Sequence, residues 1–274
     1  MKSKLHLLTP SVFNVKDKTG WFWTEEENGR GFYDKPIISD PLNGASIKFA
    51  HYDREYRKEE HRHGCSFGVY VIDGEYTVGD RQIRAGSFVW NPVGNVSSHG
   101  ASGDKDCRIL YISNRSEASP EDFADNTVSR AAIGSQPCGG WKAWKQGLEA
   151  GDEGERIQVF NIFESPGWIE KEEPIGNAFY DKQMIVDRET GMVVNFSRYP
   201  AGFRKPRFQL NCAHGMYIIK GAMVTDHGVF GPGNFIWYPK GCACEMTVTA
   251  DEDCLFLFVT NRSYRIQFLY EIRT

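Results

Sequence analysis

No apolar run in the 274-residue chain approaches the roughly 20 residues that a helix needs to cross a bilayer. The opening MKSKLHLLTPSVF has too short an apolar segment for a secretory signal, so the expected setting is the cytoplasm. An excess of charge of one sign is also missing: 32 basic residues stand against 36 acidic ones, with a pI near 6.0. That balance lacks the electrostatic footprint of a nucleic-acid or anionic-membrane binder, and it leaves a small molecule as the expected partner. Cysteine is sparse and odd in number, seven residues without a CxxC, which excludes a disulfide framework in a chain of this size. Cys242 and Cys244 form a CxC that a strand would turn to one side, where His214 or Glu245 would complete a metal group; buried free thiols are the commoner outcome. Helix signals are few as well. SPEDFADN at 119–126 carries a serine cap before an acidic first turn, and WKAWKQGLEAG at 141–151 would give a turn or two.

What the chain does have is a repeat, which decides the architecture. Residues 11–115 align without a gap on 158–262, an offset of 147, and about a third of the positions are identical. SVFNV at 11–15 recurs as QVFNI, FYDK at 32–35 as FYDK, GVYVIDG at 68–74 as GMYIIKG, and GSFVWNPVG at 86–94 as GNFIWYPKG. Cys107 matches Cys254, and Asn114-Arg115 matches Asn261-Arg262. Within each unit, short β-branched and aromatic segments such as ASIKFAHY, SFGVYVI and CRILYIS are punctuated by Gly, Asp, Asn or Pro, the pattern of an all-β sandwich or barrel. The expected organisation is a first domain over 1–115, a linker with short helices over 116–157 and a second domain over 158–274. YRIQFLYEI, after residue 263, would close the second barrel or pair across to the first.

In the first unit, EEHRHGCSFGVYVIDG at 59–74 places His61 and His63 two apart, ahead of an alternating run that ends at Gly74. In a strand, residues i and i+2 share a face about 6.5 Å apart, so two imidazoles can bend onto one ion. Taken alone, the same HxH is more often a chance or hydrogen-bonded pair.

These residues resemble the cupin pattern, and with the repeat a bicupin. The first half of that pattern is carried by His61, His63 and Gly74, the second by Gly86, Pro92, Gly94 and His99. HRHG followed by YVIDGEY and AGSFVWNP is most similar to the anti-sigma-factor ChrR type of cupin and to the acetylacetone and dihydroxyacetophenone dioxygenases. The resemblance implies two tandem jelly-roll β-barrels and one divalent metal ion per chain, Fe(II) first, with Zn, Ni, Mn or Cu as alternatives. The pattern is departed from twice. Phe67 occupies the position of the acidic ligand, and His99 follows Gly94 by five residues rather than three, a lengthening that preserves strand parity. The implied ligand set is therefore His61, His63 and His99.

The repeat supplies a control. The counterparts of the three histidines are Phe208, Leu210 and Met246, all apolar together, so the second unit is expected to hold no metal. An open three-ligand site favours a reactive metal over a closed structural one. Its undiminished charge favours an anionic chelator bound through two oxygens, such as the enolate of a β-diketone, an α-hydroxyketone or an α-keto acid. The implied activity is a dioxygenase of a small oxygenated molecule, with C–C cleavage. A non-oxidative isomerase or lyase and a ligand sensor of ChrR type are the alternatives; residues 1–20 hold His6 alone and no cysteine, unlike the Cys/His-rich segment of that sensor. Strand parity makes Glu59 a candidate partner for an imidazole, or else a solvated charge at a strand start, and Phe67, Val69 and Val71 candidate pocket walls; Phe88, Trp90 and Tyr111 are strand aromatics that read as core first and pocket lining second. A homodimer through barrel-edge strands is a further expectation.

Overall fold

The computed structural model describes residues 8–26, 29, 31–40, 44–102, 105–116, 156–164 and 166–269, and among them every regular element is a strand. The two expected helical segments at 119–126 and 141–151 lie outside the described residues. The first unit comprises β1 (Ser11–Asn14), β2 (Phe22–Glu25), β3 (Gly31–Ser39), β4 (Ser46–Tyr52), β5 (Arg57–Arg62), β6 (Phe67–Asp73), β7 (Glu75–Val78), β8 (Arg81–Arg84), β9 (Ser87–Asn91), β10 (Val96–Ala101) and β11 (Cys107–Ser113). The second comprises β12 (Gln158–Asn161), β13 (Ile169–Glu172), β14 (Ala178–Val186), β15 (Val193–Tyr199), β16 (Arg204–Leu210), β17 (His214–Lys220), β18 (Met223–Thr225), β19 (Gly228–Phe230), β20 (Asn234–Tyr238), β21 (Cys244–Val248), β22 (Cys254–Thr260) and β23 (Ile266–Phe268). The 147-residue offset of the sequence is carried into the strands: Ser11, Phe22, Gly31, Ser46, Arg57, Phe67, Ser87 and Cys107 each open a strand whose counterpart opens 147 residues later.

Each unit is a jelly roll of two facing antiparallel sheets. The larger sheets run β12-β9-β6-β11-β4-β3-β2 and β1-β20-β17-β22-β15-β14-β13; the smaller ones run β5-β10-β7-β8 and β19-β18-β21-β16-β23. The first strand of each unit is exchanged. β1 pairs with β20 (Ser11 opposite Trp237), and β12 pairs with β9 (Gln158 opposite Trp90), at equivalent registers. Each exchanged strand is fastened the same way: Lys35 Nζ donates to Asn14 O at 2.9 Å and Lys182 Nζ to Asn161 O at 2.8 Å. Of the YRIQFLYEI segment, β23 pairs with β16 and completes the second barrel's smaller sheet.

Alternation within strands sorts the apolar side chains into three cores. Phe32, Tyr52, Phe67, Val69, Val71, Val89 and Tyr111 fill the first barrel. Phe208, Leu210, Met216, Cys244 and Met246 fill the second. The opposite faces of the two large sheets pack against each other, with Phe49, Tyr70, Phe88 and Leu110 meeting Phe196, Tyr217, Phe235 and Leu257. Burial on both faces is why these strands read as near-continuous hydrophobic runs. The close approach also explains two glycines. A Cβ on Gly68 would stand 2.3 Å from the Phe88 ring, and one on its counterpart Gly215 would stand 2.4 Å from Phe235.

Candidate metal centre

Two strands of the smaller sheet bring the three histidines together. His61 lies near the end of β5, His63 follows that strand, and His99 sits in β10 on the neighbouring strand. A β-bulge shifts the register between them, so that Ser97 faces His61 while His99 faces Lys58. The loop carrying His63 is tied to the Pro-x-Gly turn: Gly94 N–H donates to the His63 carbonyl at 3.2 Å, and Val93 N–H donates to Ser66 Oγ at 3.0 Å.

One ring nitrogen from each of the three lies within 4.8 Å of the others, with ring centroids 4.6–5.9 Å apart. The Glu59 carbonyl is 2.7 Å from His61 Nδ1. A carbonyl only accepts, so that nitrogen carries the proton and the Nε2 lone pair is directed at His63 Nε2, 2.8 Å away. Two nitrogens bound at about 2.1 Å to one ion and at right angles to each other would lie about 3.0 Å apart. His99 is 7% exposed, and its Nδ1 is buried without a hydrogen-bond partner. Burial holds its pKa well below the usual imidazole value, assisted by His61 and His63 and then by the charges of Lys58 and Lys48; the ring is kept neutral, as a ligand must be. Three imidazoles converging from two strands, with His99 held neutral and its Nδ1 unanswered, fit a divalent ion.

The walls only partly follow the sequence expectation. Phe67, Val69, Val71 and Tyr111 face the barrel interior; the Phe67 ring lies 4.3 Å from His63 and 5.3 Å from Tyr111. Phe88 and Trp90 do not: they point into the packing between the two units, and Val89 between them is the inward residue of β9. Glu59 serves through its backbone carbonyl, while its side chain is exposed. Residues that the motif left out complete the lining. Tyr52 and Tyr76 flank His99 at 6.2 and 6.0 Å, and burial raises both phenol pKa values, keeping them neutral. Lys48 lies inward with Ala50 and Tyr52, its Nζ 4.9 Å from the centre of the Tyr111 ring. Asn91, opposite Phe67 in the ladder, is 1% exposed with neither amide atom hydrogen-bonded. Comparing the repeats would have flagged both, since they become Asn195 and Tyr238 in the second unit.

In the second barrel, Phe208, Leu210 and Met246 are 3%, 2% and 2% exposed and packed among apolar neighbours. The scaffold persists there without the ligands: Gly241 N–H donates to the Leu210 carbonyl at 3.0 Å, as Gly94 does to His63. His214 stacks on Tyr238 at 5.0 Å, and burial lowers its pKa to about 3. The Cys242 thiol donates to Leu8 O and that of Cys244 to Tyr238 Oη, and neither joins His214 or Glu245 in a three-ligand group among the described residues. Burial pushes the Cys244 thiol up to about 12, so it stays protonated. Among the described residues one other group meets ligand distances, the half-buried His51 with the exposed Asp53 and Asp106. Its counterpart in the second unit is an ion pair, Arg198 Nε to Asp253 Oδ2 at 2.9 Å, so the position serves surface electrostatics in both units.

No protein-family model matches the chain, and no curated protein matches it by sequence. Solved structures do match the fold. A protein described as a candidate dioxygenase of Nostoc punctiforme is similar at a TM-score of 0.65 and 13% identity, over 96% of this chain and 87% of that one. An oxalate decarboxylase variant of Bacillus subtilis is similar at 0.56 and 15% identity, over 94% and 79%. Another oxalate decarboxylase structure matches at 0.57 and 14% identity, over 96% and 80%. Among the described residues, no helix is long and apolar enough to cross a membrane. The duplicated strands, the sheet order and these likenesses together give the chain the cupin fold twice over, with a three-histidine metal-ligating site in the first barrel.

Proposed function

We propose that the chain is a metal-dependent dioxygenase whose first barrel holds one divalent ion, Fe(II) foremost, on His61, His63 and His99, and acts on a small diketone, hydroxyketone or similar molecule. The observation that carries this is the pairing of a convergent histidine triad in one barrel with three packed apolar residues at the same positions in the other. A bound ion supplies Lewis-acid and redox chemistry to a chelating substrate. The protein's part is positional. The Glu59 carbonyl fixes the His61 tautomer, the Phe67–Tyr111 wall excludes water and offers a flat apolar face, and the buried phenols of Tyr52 and Tyr76 keep the ring of His99 in place. The likeness to oxalate decarboxylases supports a second reading, non-oxidative cleavage on the same ligands.

Elemental analysis of protein purified without chelator tests the site. One ion per chain is expected, lost in His61→Ala and retained in the double variant His214→Ala, Cys244→Ala. Metal that follows the double variant instead would refute the assignment. Substrate-dependent dioxygen uptake by the iron-loaded protein separates the two reactions, because turnover under argon belongs to the second.

A further inference from the structure

Asn91 carries a buried amide that the scaffold does not use. It closes β9 two residues after the inward Val89 and stands opposite Phe67, whose ring lies 4.3 Å from that of His63. Its side chain is therefore directed into the barrel on the side of the triad. The residue is 1% exposed, and among the described residues neither Nδ2 nor Oδ1 has a hydrogen-bond partner. The turn that follows is held without it, by Val93 N–H on Ser66 Oγ, Gly94 N–H on the His63 carbonyl and Asn95 N–H on the Pro92 carbonyl.

The duplication shows where this side chain leads. Its counterpart Tyr238 lies inside the second barrel, stacked on His214 at 5.0 Å, and its hydroxyl oxygen accepts from the Cys244 thiol at 3.5 Å. His214 and Cys244 are the counterparts of Phe67 and Ser97, and Ser97 is the ladder partner of His61. A phenol at this position thus spans from the large sheet to the strand that carries the third ligand in the first barrel, with its polar atom answered. Asn91 puts a shorter amide there, with both polar atoms unanswered, and the change accompanies that of the three histidines. A buried asparagine common to both barrels behaves differently: Asn114 Oδ1 accepts from Ser66 N–H at 3.1 Å and Asn261 Oδ1 from Ala213 N–H at 3.2 Å. That pair belongs to the scaffold, and Asn91 does not.

The amide limits what can answer it. Nδ2 only donates and Oδ1 only accepts, so a single group satisfies both only if it accepts and donates in turn. A carboxylate or dioxygen only accepts, and a water bound to the ion has a lone pair engaged and chiefly donates. An alcohol does both. The charges agree with an uncharged group: Lys58 pairs with Glu26 at 2.9 Å and Lys48 with Asp34 at 3.5 Å, so both ammonium groups beside the triad are already balanced.

We propose that Asn91 positions the substrate by pairing with an alcohol outside its chelating oxygens, which makes the substrate a chelator that carries an additional hydroxyl rather than a plain diketone. This rests on the reading that the substrate chelates the ion of the first barrel. Allomaltol and kojic acid share one hydroxypyranone chelating pair and differ by a single alcohol, a methyl group in the first being a hydroxymethyl group in the second, so they serve as probes. Each is titrated anaerobically into the cobalt-loaded full chain, with the visible spectrum of the bound ion and calorimetry as readouts. Kojic acid is expected to bind at least about fivefold more tightly, as a hydrogen bond to an otherwise unpaired buried amide implies. Asn91→Leu should bring that ratio to one, while Asn91→Gln, which keeps a donor and an acceptor, should retain a preference for kojic acid. Metal content and melting temperature of both variants establish that they are folded. Equal affinities in the unsubstituted protein, or a preference that survives Asn91→Leu, would overturn the role of Asn91 and leave the chelation reading standing. If neither probe perturbs the cobalt spectrum, the chelation reading itself falls, and the proposal with it.

Discussion

Asn91 shows how a single residue can be tuned for something other than stability. Its carboxamide is buried with both polar atoms unanswered, a condition that costs about 1–3 kcal/mol. Asn91→Leu, nearly the same size, should therefore stabilise the metal-free protein by about 1–2 kcal/mol in urea unfolding. No gain would mean that a trapped water already meets the amide. His214 gives a residue-scale prediction in the other barrel. Its folded pKa of about 3 lies below the usual value of 6.5, so between those limits the unfolded chain binds the extra proton. Stability is therefore lost as pH falls through that window, by up to about 1.4 kcal/mol per pH unit. His214→Phe, which installs the first barrel's own residue, should flatten that part of a stability-against-pH curve; an unchanged slope would show that other groups set it. The ligands were legible in the sequence at this scale because they vary as a set, His61, His63 and His99 against Phe208, Leu210 and Met246. Lys48 was passed over, because a lysine in a strand reads as solvent-facing until Tyr111 is seen beneath it, although its change to Asn195 in the repeat marks the position.

At the level of elements, the alternation rule succeeded where one face of a strand is distinctive and failed where both are buried. β6 was read correctly, with Phe67, Val69 and Val71 inward. β9 is buried along its whole length, so its parity could not be chosen from composition: Phe88 and Trp90, read as core first and pocket lining second, take the core place, between the two units. The exchange of β1 and β12 was also hidden. The repeat identifies these strands as equivalents, but similarity is blind to which copy an edge strand pairs with. The exchange means that a unit produced alone lacks an edge strand of its larger sheet and carries one that belongs elsewhere. Residues 1–116 and 156–274 made separately should therefore aggregate or remain partly unfolded, whereas co-expression should yield a complex that purifies together. Size-exclusion chromatography and circular dichroism would show this, and two stable, independent monomers would contradict it.

For the molecule as a whole, duplication has allowed a division of labour. Both barrels keep the ion pair of the small sheet, the turn that steadies the ligand loop and the lysine that fastens the exchanged strand. Only one keeps the triad. The other fills the same space with side chains and presents the back of its large sheet to the first, a contact that includes Phe49 against Tyr217 at 5.9 Å. The all-β class and the tandem barrels followed from strand punctuation and the repeat, since those are local features. The packing between the units depends on contacts distant in sequence and needed the structure.

The strand exchange also sets a timetable for synthesis. β1 leaves the ribosome well ahead of β20, since its Ser11 pairs with Trp237, 226 residues further along the chain. At about 5–20 residues per second, the N-terminal strand waits roughly 10–45 s for its place in a sheet. During that interval its exposed Val12 and the open edge of β9, which awaits β12, are sites for pairing with other nascent chains. The same reciprocal clasp that joins the finished barrels therefore makes the half-made protein a natural client for chaperones.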